Sequence, residues 1–375
     1  MTTERTLAGF VSAARWTIAA GVAALPLACW PAASRPFSTP KLWAIAALDL
    51  AIGALYLAAP RKALALPSWT WLAWIAAVSL SAVTAPLLSP AAFLLVVLPL
   101  PLVVAGVDAP RALCAGSVVE SVIVVLQRSG HDPFGWIGWM PEAFGSPRMR
   151  MYGTLGNPDF VAAWLSSTLP LCALAPRRAV RAGIAVLQVA AILCTGSRVL
   201  LVALPAALVA FALARKRFER WWLLAVPLLC AVVWLSPGRS LAATVTGRLH
   251  FAAVTVAHLP EVPVTGFGPG AFESKFAAWQ QAWLRDHPID RRFEGPVDHA
   301  HNDYLEFLVE YGPLGLGAFL ALCGSSLWRL SRRPFPGEVA AALGALLAVA
   351  LVDFPFHRPA EWTLFTILAS TNKET

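Results

Sequence analysis

The chain has 375 residues, of which 58% are apolar and only 13% charged, with a mean hydropathy of +0.65. An ordinary soluble domain carries roughly twice that charged fraction, so a water-soluble globule is excluded, and with it disorder, collagen-like repeats and coiled coils. The net charge of +8 does not point to nucleic acid, because the Lys and Arg residues lie mostly between apolar runs and read as topology signals.

Apolar runs of about 20 residues, enough to cross a hydrocarbon core of about 30 Å, recur from end to end. They predict an all-α polytopic membrane helix bundle with spans at 8–29, 42–59, 67–87, 91–107, 110–127, 154–175, 180–196, 199–214, 221–236, 304–328, 338–355 and 360–371. The last run has only about twelve residues, short for a crossing, so the count is 11–12. Glu4 and Arg5 precede an apolar stretch interrupted by Arg15, with no convincing small-residue cleavage site, which reads as a retained first span. An N-terminus in the cytoplasm puts fifteen Lys and Arg in the inner segments against seven in the short outer loops, the bias expected of that orientation. All six cysteines sit in apolar stretches without a C-x-x-C pair, which argues against a disulfide framework or a zinc ribbon.

The whole chain, 1–375, reads as one integral membrane domain with two distinctive outer segments. Segment 128–152 carries Phe134, Trp136, Trp139, Met140 and Phe144 among Gly and Pro, a composition suited to the membrane interface. Segment 237–303 is a long outer loop between spans nine and ten, and connections of that length are usually functional. Its single occurrence argues against the inverted repeats of many transporters.

Within this loop Thr246 to Leu259 has helical character, and Gly266-Phe267-Gly268-Pro269-Gly270 is a backbone break. Its three glycines allow close approach of backbone to a ligand, or simply form a turn. Asp303 and Glu306 are spaced as a capping box, which starts a helix just after His301. A histidine there stays neutral while anions are attracted beside it. Its bland alternatives are a solvated loop histidine or, paired with His299, a strand-like metal pair. No third ligand stands at a usable spacing, so no metal is expected. Arg198, Arg248 and Arg150 lie at outer positions. Each alone suits an interface anchor, and together they offer a cationic pocket suited to pyrophosphate.

These residues carry a resemblance. His301, Asn302, Gly312 and Gly315 satisfy the pattern H-N-x9-G-x-x-G, which resembles the signature of the O-antigen ligase and polymerase family of bacterial envelope glycosyltransferases. Gly153-Thr154-Leu155-Gly156-Asn157-Pro158, the Ser197-Arg198 pair, and Arg248 followed by Pro263 to Phe272 fall in the family's order. The match runs motif by motif over about 150–330. Asp159, Val199 and Phe251 depart from the residues usual there (Asn, Gly and a nearby Trp).

The resemblance implies a GT-C-like bundle in the bacterial inner membrane, with the site facing the periplasm. It implies transfer of a glycan from an undecaprenyl pyrophosphate carrier to an acceptor, lipid A-core for a ligase, with no metal and no cofactor. His301 is then the general base, while Arg198 and Arg248, with Arg150 beside them, hold the pyrophosphate. Direct attack inverts the anomeric centre. Asn302, His299, Asp298, Glu306, Glu310, Gly266, Gly268, Gly270, Gly312, Gly315 and Asn157 are candidate supports; of these, Glu306 is also explained by capping together with Asp303, and Gly312 and Gly315 by a kink at Pro313. Repeat-unit polymerase and protein O-oligosaccharyltransferase are runners-up within the class. A lipid or polysaccharide transporter is the alternative from another class, and it requires a polar path through several spans.

Overall fold

The apolar runs fold as helices, and among the described residues every regular element is helical. The computed structural model describes residues 16–58, 68–84, 109–139, 151–216, 227, 229–230, 241–332 and 337–371. The expected span 91–107 lies outside these, as does nearly all of 221–236 and the segment 140–150 that holds Arg150. After an opening helix at Trp16–Leu27 come α1 (Thr39–Ala58), α2 (Trp69–Thr84), α3 (Pro110–Arg128), α4 (Pro158–Thr168), α5 (Arg178–Thr195) and α6 (Leu200–Arg215). Segment 237–303 holds α7 (Leu241–Ala257) and α8 (Phe272–Asp286); α9 (Asp303–Arg332), α10 (Gly337–Val349) and α11 (Pro359–Ser370) follow. By length and composition α3, α5 and α9 are able to cross a membrane.

Small residues set the closest helix contact. A methyl group on Gly344 would meet the Ala210 side chain at 2.5 Å, and one on Gly337 would meet Arg215 at 2.8 Å. The start of α10 therefore lies at the end of α6, and the two run antiparallel, as glycine and alanine interfaces allow. Arg215 and Glu338 pair at 3.5 Å at that end. It follows that the start of α6 and the end of α10 share the opposite end of the bundle.

The short apolar run 360–371 has a definite place. Every residue of α11 is buried, and at about 1.5 Å per residue the helix is too short to cross a bilayer. A helix buried on every side is a core element. Trp362 and Phe365 pack with Trp74, Phe307, Phe319 and Phe356 into one aromatic cluster.

Helix α9 is broken at Gly312, whose φ of 68° and ψ of −179° are non-helical. Pro313 lacks the amide needed to continue the ladder, and the carbonyls freed before it need other donors. The glycine-rich break supplies them: Phe267 N–H donates to Val309 O and Gly268 N–H to Glu310 O, both at 2.9 Å. Ser81 Oγ also donates to Glu310 O at 2.7 Å. The close approach expected of Gly266 and Gly268 is thus to the backbone of α9. A methyl on Gly266 would fall 2.2 Å from Glu310 O, and one on Gly312 2.2 Å from Val264 O. Gly270, at φ 76°, makes the turn into α8, and Gly315 sits against its own Tyr311.

Segment 237–303 is less irregular than its length suggests. The helix expected over Thr246–Leu259 is present as α7, and α8 is an additional one. Phe272, Phe276 and Trp279 of α8 pack with Val254 of α7 and Val309 of α9 in a second apolar cluster. In segment 128–152, Asp132 accepts hydrogen bonds from the Tyr152 hydroxyl (2.7 Å) and Phe134 N–H (3.1 Å), beneath an aromatic stack of Phe134 on Tyr152. Trp136 and Ile137 of this segment are exposed.

Candidate functional site

Helix α9 starts against the end of α10. Asp303 N–H donates to Ala350 O at 2.9 Å, Tyr304 Oη to Leu347 O at 2.8 Å, and Asn302 Nδ2 to Leu351 O at 3.2 Å. Arg198 stands in the turn between α5 and α6, just before the start of α6, and so lies at this same end. The cap differs from the expected one by a residue. Asn302, with its side-chain oxygen accepting from Leu305 N–H at 3.1 Å, caps the helix. The Asp303 carboxylate points elsewhere, accepting from Phe356 N–H at 2.8 Å and lying 2.6 Å from His357 Nδ1. Glu306 reaches back to Ala300 N–H at 2.9 Å and stands 2.7 Å from His299 Nδ1.

His301 is held in an uncommon conformation. Its φ of 51° is one of two positive values among the described non-glycine residues, a strain that marks functional positions and persists only under surrounding constraint. The constraint is visible: the ring stacks on Phe251 of α7 (6.1 Å, 17°) and meets the edge of Phe354 (5.2 Å, 66°). Its Nδ1 faces Asp353 Oδ1 at 3.6 Å, and its side chain is 36% exposed.

Asp353 gathers the charges. It lies beyond the end of α10 in the turn that leads to α11, buried, with Arg358 Nη1 at 3.0 Å. The Arg358 guanidinium beside it compensates the burial of its charge. Arg248 stands one turn before Phe251 on α7, the residue whose ring stacks on His301. Asp353, which the sequence did not single out, lies on the Nδ1 side of the same imidazole.

Arg358 is buried as well. It pairs with Glu361 at 3.0 Å and lies over the faces of Phe160 (4.1 Å) and Phe354 (5.3 Å). These rings and acids compensate the cost of burying a guanidinium. His357 faces three carboxylates: Asp303 on Nδ1, and Glu306 (3.3 Å) and Glu310 (3.4 Å) on Nε2. Burial opposes its charged form, but Glu306 and Asp303 with Glu310 raise its pKa well above the usual histidine range. The partner of Glu310, a candidate support, is His357. His299 stacks on Phe354 at 4.0 Å, and Asp298 is exposed beside it.

The motif Gly153–Pro158 holds structure around this end. Asn157 caps α4 by accepting from Asp159 N–H at 2.9 Å. Buried Glu120 accepts from Thr154 N–H at 3.0 Å and from its hydroxyl. Lys41 Nζ donates to Thr154 O at 2.7 Å and to Ala28 O and Phe37 O at 2.8 Å. Lys41, Asp353, His357, Arg358 and Glu361 were not legible as site residues. The only signal was a His-Arg pair, His357-Arg358, between two short apolar runs.

A family model described as O-antigen ligase matches residues 183–320. That segment is similar to the O-antigen ligase family. It contains Arg198, Arg248, the Gly266–Gly270 break, His301, Asn302, Gly312 and Gly315, the residues on which the sequence resemblance rests. Asp353, His357 and Arg358 lie beyond the matched segment; Asp353 and His357 meet it from the C-terminal side, at His301, Asp303, Glu306 and Glu310. No curated protein matches the chain. The family supports a membrane glycan ligase or polymerase activity acting on glycan and lipid-linked substrates.

Proposed function

We propose that this protein transfers a glycan from an undecaprenyl pyrophosphate carrier to an acceptor hydroxyl at the periplasmic face of the bacterial inner membrane, with lipid A-core as the acceptor of an O-antigen ligase. The observation that carries this reading is the meeting of the partly exposed His301 with the carboxylate of Asp353 and with Phe251, one turn along α7 from Arg248, inside and beside the matched segment.

A sugar hydroxyl is a poor nucleophile near neutral pH. An imidazole nitrogen within about 2.6–3.2 Å of its proton assists attack, typically by 10²- to 10⁴-fold. His301 takes that proton through its Nε2, while Asp353 at Nδ1 favours the tautomer that leaves Nε2 free and steadies the imidazolium that forms. This is the division of labour of a base and its orienting acid. As the anomeric C–O bond breaks, the electron pair leaves with the pyrophosphate. Fixed guanidinium groups then favour the transition state over the ground state. Arg248, and Arg198 at the same end, are assigned this role, with Arg150 as a further candidate. Attack opposite the leaving group inverts the anomeric centre, and transfer draws on no cofactor.

The placement of buried charge speaks for transfer over transport. Lys41, Glu120, Asp303, Glu306, Asp353, Arg358 and Glu361 are buried and gather around the end that holds His301; they do not line a path through the spans. Arg248→Ala and Arg198→Ala are each expected to lower turnover by at least tenfold in a lipid-linked glycan transfer assay, with the purified protein's melting profile unchanged. Unchanged turnover in both would remove the pyrophosphate clamp. The polymerase and protein-glycosylation readings predict different products in a deletion strain: loss of long chains for the first and loss of protein glycans for the second, against loss of attachment to lipid A-core for a ligase.

A further inference from the structure

The start of α9 and the 355–357 turn bring together a donor set that the transfer chemistry does not use. His299 Nδ1 lies 2.7 Å from Glu306 Oε1, which lies 3.3 Å from His357 Nε2, which lies 3.4 Å from Glu310 Oε2. The His299, Glu306 and His357 donor atoms all fall within 4.8 Å of one another. The geometry points to a divalent-cation site of zinc type, with His299, Glu306, His357 and Glu310 as ligands, that ties the outer loop to α9 and to the turn before α11.

Three features support this. First, the spacing fits. Ligand bonds of about 2.0–2.1 Å around a tetrahedral Zn²⁺ put neighbouring donors about 3.3 Å apart, which the Glu306–His357 and His357–Glu310 separations match. The His299–Glu306 pair has to open by about 0.6 Å, and His299 has room to move because its side chain is 30% exposed.

Second, each ligand but His299 is oriented from behind. Asp303 Oδ1 holds His357 Nδ1 at 2.6 Å and is itself fixed by Phe356 N–H, the carboxylate–histidine arrangement that aims the other ring nitrogen at a metal. Ala300 N–H takes Glu306 Oε2 and leaves Oε1 facing inward; Phe272 N–H, at 3.5 Å, faces Glu310 Oε1 and leaves Oε2 toward His357.

Third, the charge calls for a cation. Asp303, Glu306 and Glu310 are three buried carboxylates with at most two imidazoles among them. Either two protons or one divalent ion supplies the compensating charge, and the N₂O₂ donor set suits zinc over magnesium or calcium. His299 with His301 gave the sequence only a pair; the remaining donors come from α9 and from a turn more than fifty residues away.

The test uses full-length protein purified in detergent, stripped with chelator, equilibrated with Zn²⁺ and gel-filtered, with metal read by elemental analysis. The expected result is about one Zn²⁺ per chain, at least tenfold weaker binding in His299→Gln, and a 10- to 100-fold loss in Asp303→Asn, which removes only the orienting acid. Co²⁺ in place of Zn²⁺ should give the intense visible bands of a tetrahedral ion, absent from His299→Gln. Wild type that holds no more Zn²⁺ than the double variant His299→Gln/His357→Gln overturns the proposal. If that double variant fails to fold, the comparison with His299→Gln alone decides, since this residue is partly exposed. The readout is independent of glycan transfer. Zinc bound by an inactive protein leaves the site standing and sinks the transfer reading; transfer by a protein that holds no zinc does the reverse.

Discussion

His301→Ala should lower glycan transfer by about 10²- to 10⁴-fold, the range expected when a positioned general base is removed. The loss should fall on kcat, since the imidazole acts as the acceptor proton moves. Folding should be preserved, because the side chain is 36% exposed and its contacts are two aromatic rings and one carboxylate at 3.6 Å. Replacement by Ala also relieves nothing at the backbone, as φ of 51° is set by the turn from Ala300 into the Asn302 cap. Asp353→Asn offers a graded version. It keeps the shape but removes the charge that favours the working tautomer, so it should reduce kcat less than His301→Ala does. Full turnover by His301→Ala, with an intact melting transition, would show that the base lies elsewhere.

The largest expected effect on stability comes from Gly312→Ala. The backbone there has φ of 68° and ψ of −179°, a region that is nearly exclusive to glycine and costs a side chain about 1–3 kcal/mol. The added methyl would also lie 2.2 Å from Val264 O and 2.5 Å from Gly266 N. Those are backbone atoms that cannot swing aside, and overpacking of this kind costs a further 1–3 kcal/mol or so. Together these give about 2–6 kcal/mol, enough to abolish a marginally stable fold. Gly266→Ala should behave alike, because its methyl meets Glu310 O at 2.2 Å from the other side of the same contact. Gly317→Ala, five residues along α9 with nothing within 4 Å of the added methyl, should be tolerated. Thermal melting of the three detergent-purified variants checks this; equal melting of Gly312→Ala and Gly317→Ala would contradict the docking of the glycine break on α9.

How much of this was legible depends on how local each cause is. The helices were readable because an apolar run of bilayer length carries its own signal, and α7 because its periodicity lies within a few turns. Helix α8 was readable in principle, since Phe272, Phe276, Trp279 and Trp283 recur at helical spacing, but long-loop composition masked it. The cap at α9 slipped by one because Asn302 and Asp303 both suit the position. What decides between them is the pull of Phe356 N–H and His357 on the Asp303 carboxylate, from more than fifty residues away. The same distance hid the acids' partners. Capping explained Asp303 and Glu306 locally, and topology explained Arg358, so nothing in the sequence required that they meet. His301 and Arg248 stood out through a motif; Asp353, which faces His301 Nδ1, did not.

The most direct test of the account is whether the purified protein forms a glycosidic bond. Incubated with an undecaprenyl pyrophosphate-linked glycan and candidate acceptors, it should release undecaprenyl pyrophosphate as the glycan appears on the acceptor with inverted anomeric configuration. Glycan-lipid that moves across a membrane or stays bound, with no pyrophosphate carrier released and no new bond, would contradict it.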